Sequence, residues 1–370
     1  MALTLCLAAT PPSFAGSNQW RQSTIAGAAA YKELRFGDAE RAFQKSIEEA
    51  KKYGPDSIKL AVSLANLGVL YNYRGFFDKA EKLFEESVDI QKRKLGVDNP
   101  DYISASGKLC QFYLKREKYE KAKPYAEKVI TYGEGKLKEL DALKSDQSQK
   151  DKLTKEELDI KKKKHNRYLE LAVLYDRMGT AYLGHKENGR YLMSEKLFTL
   201  SKDIREKVLS GNHLALSSSY ENLGRVYLNE GRYSKAEPLL KKGYYLSKKT
   251  LGFTNPKTYS KLDLWNKSLM GLGRYSQAES HYRLALTSFS KEYGTKDGHV
   301  ANIETSLAHL LARRGRYSQA AHYMGKAIKI KEKISGPHHA SLITPRKEYQ
   351  SMLRKAHHRT SHAPDDEETL

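Results

Sequence analysis

The chain has 370 residues, of which 39% are hydrophobic and 29% charged, with a net charge of +21. So lean an apolar content excludes one thick globular core, and no apolar run reaches the ~20 residues of a membrane-spanning helix. Two cysteines without a C-x-x-C spacing exclude a disulfide framework and a structural zinc site, while the cationic excess points to anionic partners.

Residues 1–15 stand apart. Leu3, Leu5, Cys6, Leu7, Ala8 and Ala9 form a short apolar run that Pro11 and Pro12 break, and Ser13-Phe14-Ala15 has the small-x-small pattern of a cleavage site. No Lys or Arg precedes the run. The expectation is a signal peptide over 1–15 and an exported chain, periplasmic or secreted, with a cytoplasmic chain as the alternative. Cys110, on an apolar helix face, reads as a small buried hydrophobe.

Beyond residue 18 one phrase recurs, Gly-x-Tyr-x-x-Ala. Its first copy is degenerate, Gly37-Asp38-Ala39-Glu40-Arg41-Ala42. It returns at Gly75, at Glu117 with Tyr119 and Ala122, at Gly189 with Tyr191 and Ser194, and at Gly231, Gly273 and Gly315. The spacing is 42 from Gly75 to Glu117 and between the last four copies, 38 from Gly37 to Gly75, and 72 from Glu117 to Gly189. A fixed period of this size marks stacked units.

Each period reads as two helices. Leu64, Leu67, Gly68 and Tyr71 form an i, i+3, i+4, i+7 stripe. Gly75 allows a tight turn, and Ala80, Phe84, Val88 and Leu95 line a second helix that Gly96-Val97-Asp98-Asn99-Pro100 stops. The stop recurs at Gly252, Gly294 and Gly336, again 42 apart. Gly68, Gly179 and Gly224 are expected where the two helices cross, opposite Ala80, Ala122, Ala236, Ala278 and Ala320. Tyr71, Phe84, Tyr227, Leu240 and Tyr282 are expected to fill the space between units.

The long third spacing holds a charged insertion at about 134–167. Leu137, Leu140 and Leu143 keep helical spacing, and Thr154 with Glu157 forms a capping box. These favour a helical hairpin that overruns the stack; Gly133 and Gly135 favour a charged loop. Lys161–Lys164 reads as a solvated run. Residues 341–356 fit a capping helix over the stack end, and 357–370 a disordered tail.

The phrases Leu64-Ala65-Asn66-Leu67-Gly68, Tyr220-Glu221-Asn222-Leu223-Gly224, Asp203-Ile204-Arg205-Glu206-Lys207-Val208-Leu209 and Leu95-Gly96-Val97-Asp98-Asn99-Pro100 resemble the tetratricopeptide repeat (TPR) family. The 42-residue unit resembles its kinesin-light-chain-like form. The resemblance implies an all-α fold, a right-handed α-solenoid of about seven helix pairs over 18–340, and a non-enzymatic scaffold. It also implies that an extended peptide lies in a concave groove lined by the first helix of each pair. The groove residues expected from the repeat register are Asn66, Asn72, Lys108, Gln111, Asp176, Arg177, Asn222, Arg225, Lys267, His309 and Arg313. Amides there can bond a peptide backbone and cations can select acidic side chains. An acidic protein or peptide is therefore the expected partner, with nucleic acid as the alternative. No nucleophile elbow or phosphate loop occurs, and the adjacent histidines His338-His339 and His357-His358 do not make a metal set. No cofactor and no metal site are expected.

Overall fold

The structure is a computed structural model that describes residues 18–145, 155–184, 189–209, 211 and 213–360. The proposed signal peptide, Thr154 and residues 361–370 lie outside them. The described residues are helical, without a strand, and divide into two compact units, one ending at Lys207 and the other beginning at Val208.

The first unit pairs α1 (Asn18–Lys32) with α2 (Phe36–Lys51), α3 (Ile58–Tyr73) with α4 (Phe77–Leu95), α5 (Pro100–Leu114) with α6 (Tyr119–Ser145), and α7 (Lys155–Leu183) with α8 (Arg190–Val208). The second pairs α9 (Leu214–Asn229) with α10 (Tyr233–Leu251), α11 (Pro256–Gly271) with α12 (Tyr275–Tyr293), and α13 (Gly298–Arg313) with α14 (Tyr317–Ser335). A short 3-10 turn at Ala340–Leu342 then leads into α15 (Ile343–Thr360). Among the described residues these are the expected seven helix pairs of an all-α fold, four in the first unit and three in the second. Helix α15 runs through His357–Thr360, which the sequence assigned to the tail, because nothing in Lys355–Thr360 breaks a helix.

In six of the pairs, all but α7 with α8, the turn is a Schellman motif, in which an N–H reaches back five residues across a left-handed residue. Phe76 donates to the Tyr71 carbonyl at 2.8 Å, Arg232 to Tyr227 at 2.8 Å, Arg274 to Leu269 at 2.8 Å and Arg316 to Leu311 at 2.9 Å. Gly75, Gly231, Gly273 and Gly315 hold the positive φ. Glu117 takes the same role without being glycine, at φ 58°.

The first turn differs from expectation. Its left-handed residue is Leu34, at φ 60°, and Arg35 bonds back to Ala30 at 2.9 Å. Leu34 therefore corresponds to Gly75, Ala39 to Ala80, and the first unit is one residue short rather than four. Gly37 lies inside the first turn of α2, and its resemblance to the anchor glycine is accidental.

Gly96, Gly252, Gly294 and Gly336 end α4, α10, α12 and α14, and the residue three positions on caps the helix that follows. Asn99, Asn255 and Asp297 are N-caps that accept from the backbone N–H groups of Asp101, Lys257 and His299 at 2.8, 2.9 and 2.7 Å. Pro100 and Pro256 follow at the first helical position, where a missing N–H costs nothing. His213 caps α9 through Nδ1, 3.2 Å from the Ala215 N–H.

Between the helices of a pair, glycine faces a large side chain rather than alanine. A Cβ on Gly68 would lie 2.9 Å from the Phe84 ring, one on Gly179 2.9 Å from Phe198, and one on Gly224 2.6 Å from Leu240. Phe84 and Leu240 thus fill the crossing inside their own pair, and the glycines make room for them. The conserved-size alanines Ala80, Ala122, Ala236, Ala278 and Ala320 are all fully buried one turn earlier.

Across 134–167 both helices lengthen. Helix α6 runs to Ser145 and α7 starts at Lys155. Gly133 lies within α6 because Tyr175 of α7 stands against it. The tyrosine hydroxyl donates to the Val129 carbonyl at 3.0 Å, and a Cβ on Gly133 would sit 2.0 Å from that oxygen. Cys110 is fully buried, and burial pushes its thiol up to about 12.

Candidate functional site

Within each unit several first helices touch one another directly. Helix α9 meets α11 and α11 meets α13, whereas α10 and α12, or α12 and α14, make no comparable contact. Within the second unit the first helices therefore lie on the inside of the curve. In the first unit α1 touches α3 and α5 touches α7. These inner faces are the candidate binding surfaces, and each is treated separately.

In the second unit the inner face is a line of polar bonds from helix to helix. Glu221 of α9 accepts from Lys261 of α11, and Arg225 joins it at 2.7 Å. Asp263 of α11 accepts from Ser306 of α13 at 2.8 Å, from Tyr282 of α12 at 2.9 Å and from Lys267 at 2.7 Å. His309 of α13 lies 2.9 Å from Glu348 of α15. Arg225, Lys267 and His309 are thus not bare ligand groups: each already meets a carboxylate of the protein. Asn222 is half-buried on α9, and Arg313, the last residue of α13, is exposed with no ion pair among the described residues.

In the first unit the expected residues divide. Asn66 is 1% exposed, and its Oδ1 has no hydrogen-bond partner among the described residues; the Gln111 Nε2 is likewise buried and unbonded. Both were expected off the core stripe. They are buried because α3 and α5 pack on several neighbours at once and leave only a narrow free face. Asn72 accepts from Arg116 Nη2 at 2.6 Å. Asp176 turns toward its own pair, accepting from Ser201 at 2.8 Å and meeting Arg205 at 2.6 Å. Lys108 is half-buried on α5 and Arg177 exposed on α7.

One set of residues escaped the sequence reading. The acid that follows the buried alanine in Ala39-Glu40, Ala80-Glu81, Ala236-Glu237 and Ala278-Glu279 reaches forward to the next pair. Glu40 accepts from Tyr71 at 2.8 Å and Arg74 at 2.6 Å, Glu81 from Lys118 and Lys121 at 2.5 Å each, and Glu237 from Trp265 Nε1 at 2.9 Å. Glu279 holds Arg283 at 2.8 Å, Arg316 at 2.9 Å, and Arg314. Burial works to raise the Glu279 pKa, but the bonds from Arg283 and Arg316 outweigh it and hold the carboxyl below its ordinary value. The recurring Ala-Glu dipeptide was the available signal. These acids join one helix pair to the next.

Glu304 of α13 is a second buried acid, and its Oε2 has no partner among the described residues. Burial raises its pKa to about 6, against the opposing pull of Lys326. Among the described residues no cluster of His, Cys, Asp and Glu could hold a metal ion, and no helix is long and apolar enough to cross a membrane.

The tetratricopeptide repeat family model matches residues 23–92, 65–132, 170–249 and 267–333, together more than half of the chain. No curated protein matches it. Among solved structures, the nearly identical TPR-like repeats of a candidate kinesin light chain from Podosopora anserina are 16% identical, covering 76% of this chain and 97% of that one, with a TM-score of 0.44. BtubC (BKLC) from P. vanneervenii is 15% identical over 82% of this chain and 94% of its own, with a TM-score of 0.41. The apo quorum sensor NprR from B. thuringiensis is 14% identical over 85% and 76%, with a TM-score of 0.44. With its repeats matched from residue 23 to 333, the chain belongs to the tetratricopeptide repeat family.

Proposed function

We propose that the chain is a non-enzymatic scaffold whose inner, first-helix faces bind an extended acidic segment of a protein partner. One observation carries this reading: on the inner face of the second unit the carboxylates are already engaged, while cations remain. Glu221 meets both Lys261 and Arg225, and Arg313 is exposed without an ion pair among the described residues. Such a face attracts anionic side chains more than it repels them. Asn222 is the amide placed to meet a peptide backbone. Replacing Asn222 by Ala together with Arg225 by Glu is expected to abolish capture of the partner while the helical circular-dichroism signal and melting temperature stay within a few degrees. Unchanged capture by the folded double variant would count against the inner face.

Nucleic acid is the second reading. It is favoured by α10, where Lys235, Lys241, Lys242, Lys248 and Lys249 are exposed around Tyr245. Titration of RNA and duplex DNA at two salt concentrations separates the two, because phosphate binding weakens steeply with salt.

A further inference from the structure

Two arginines near helix ends of the first unit meet carboxylates: Arg74 pairs with Glu40 and Arg205 with Asp176, both at 2.6 Å. Arg116, in the turn after α5, does not. Its Nη2 donates to the neutral amide of Asn72 at 2.6 Å. Its guanidinium lies over the Phe77 ring at 3.8 Å and the Phe112 ring at 4.5 Å, and its buried Nε has no partner among the described residues. Burial lowers its pKa, and no neighbouring acid opposes that. A partly desolvated cation without a counter-charge is unfavourable, and stacking on rings offsets only part of the cost. Nothing in the packing of α4 and α5 requires that charge.

The surface beside Arg116 is aromatic. Tyr73, Phe76 and Phe77 are exposed together on the turn around Gly75. Tyr73 stacks edge-on against Tyr31 at 5.6 Å and packs on Phe36 at 5.3 Å, and Leu34 is exposed on the turn before. An apolar aromatic patch next to an arginine has the composition of an interface anchor rather than of an ordinary solvated turn. It lies at the turn ends of α3 and α5.

We propose that this turn edge, built from Tyr73, Phe76, Phe77 and Arg116, docks a protein segment that carries an aspartate or glutamate beside a large apolar side chain. The carboxylate accepts from the terminal guanidinium N–H groups that the Asn72 bond leaves open, a planar two-point match. Asn72 holds the guanidinium in place on its other side. The apolar neighbour covers the exposed rings and removes water from around the ion pair.

The test uses the full chain and short synthetic peptides that place Asp or Glu next to Leu, Phe or Trp, each with its Asn or Gln counterpart. The wild type binds the acidic members about tenfold more tightly, the value of one charged hydrogen bond. Arg116→Gln loses that preference, and the inner-face variant Asn222→Ala/Arg225→Glu keeps it. Arg116→Met melts no lower than the wild type, because the charge serves binding and not packing. The proposal is overturned by equal or absent binding of acidic and amide peptides. It is also overturned by an unchanged preference in Arg116→Gln, or by an Arg116→Met protein with a lowered melting temperature.

Discussion

Two glycine series look alike in sequence and differ in backbone. Gly96, Gly252, Gly294 and Gly336 end the second helices at φ 82–88° with ψ between 153° and 169°, a region essentially closed to any side chain. The turn glycines such as Gly231, at φ 72°, sit in the left-handed region that a side chain enters at a cost of about 1–2 kcal/mol. Gly252→Ala is therefore expected to destabilise by about 1–3 kcal/mol, and Gly231→Ala by about 1 kcal/mol once the stiffer unfolded chain is counted. Glu117→Gly removes an existing strain and should gain about 0.5 kcal/mol. Urea titrations followed by circular dichroism rank the three; a destabilised Glu117→Gly protein would contradict the strain. Glu304 supplies a pH signature at the same scale. Its folded pKa, about 6, exceeds the ordinary carboxylate value of 4.5, so the folded state holds the proton longer. The resulting penalty is absent below pH 4.5, grows as pH rises through 6, and amounts to about 2 kcal/mol at neutral pH. Glu304→Gln is expected to gain about that much at pH 7.5 and almost nothing at pH 4.5, which thermal melts at the two pH values can read.

Between elements, the forward-reaching acids hold one pair to the next. Glu279 gathers Arg283, Arg314 and Arg316, so Glu279→Gln strands three cations around an uncharged amide and should cost about 2–3 kcal/mol. Glu237→Gln keeps an oxygen that can accept from Trp265 Nε1 and should cost about 1 kcal/mol or less. A reversed order in denaturant titrations would mean that the charge is not what joins the pairs. The Glu279 contribution is present above the ordinary carboxylate pKa and is lost as pH falls through its lowered folded value. This level also separates what a single sequence can reveal from what it cannot. The 42-residue spacing, the turn glycines and the stop glycines are local signals, written within a few residues of where they act. Arg314, the partner of Glu279, and Lys261, the partner of Glu221, are 35 and 40 residues away from those acids and become neighbours only when helices stack, so the periodic phrase points to the helix and not to the bond. Gly37 and Gly133 misled for the same reason: glycine signals a turn when judged locally, whereas Gly133 is small because Tyr175, 42 residues on, needs its place.

At the scale of the whole molecule, a stack of helix pairs must close its ends with surfaces that tolerate water. In α13 the residues Ala301, Glu304 and Ala308 are buried. The positions 42 residues later in α15 are Ile343, Arg346 and Gln350, all exposed. Helix α15 thus occupies the place of another first helix while turning a largely polar face outward. Its other side is apolar: Met352 is buried, as is Leu342 of the turn before it, and the Tyr349 ring lies against Gly325 of α14. His309 of α13 adds its bond to Glu348. A chain truncated after Gly336 would uncover the apolar side of α14 that α15 protects. Such a chain is expected to lose helical signal beyond that of the deleted residues, melt at a lower temperature and associate with itself, as exposed apolar patches do. Light scattering and circular dichroism of the truncated and full chains decide this. A truncated chain that stays monomeric and melts at the original temperature would show that α15 is an appendage, and that the stack is stabilised at this end by α13 and α14 alone.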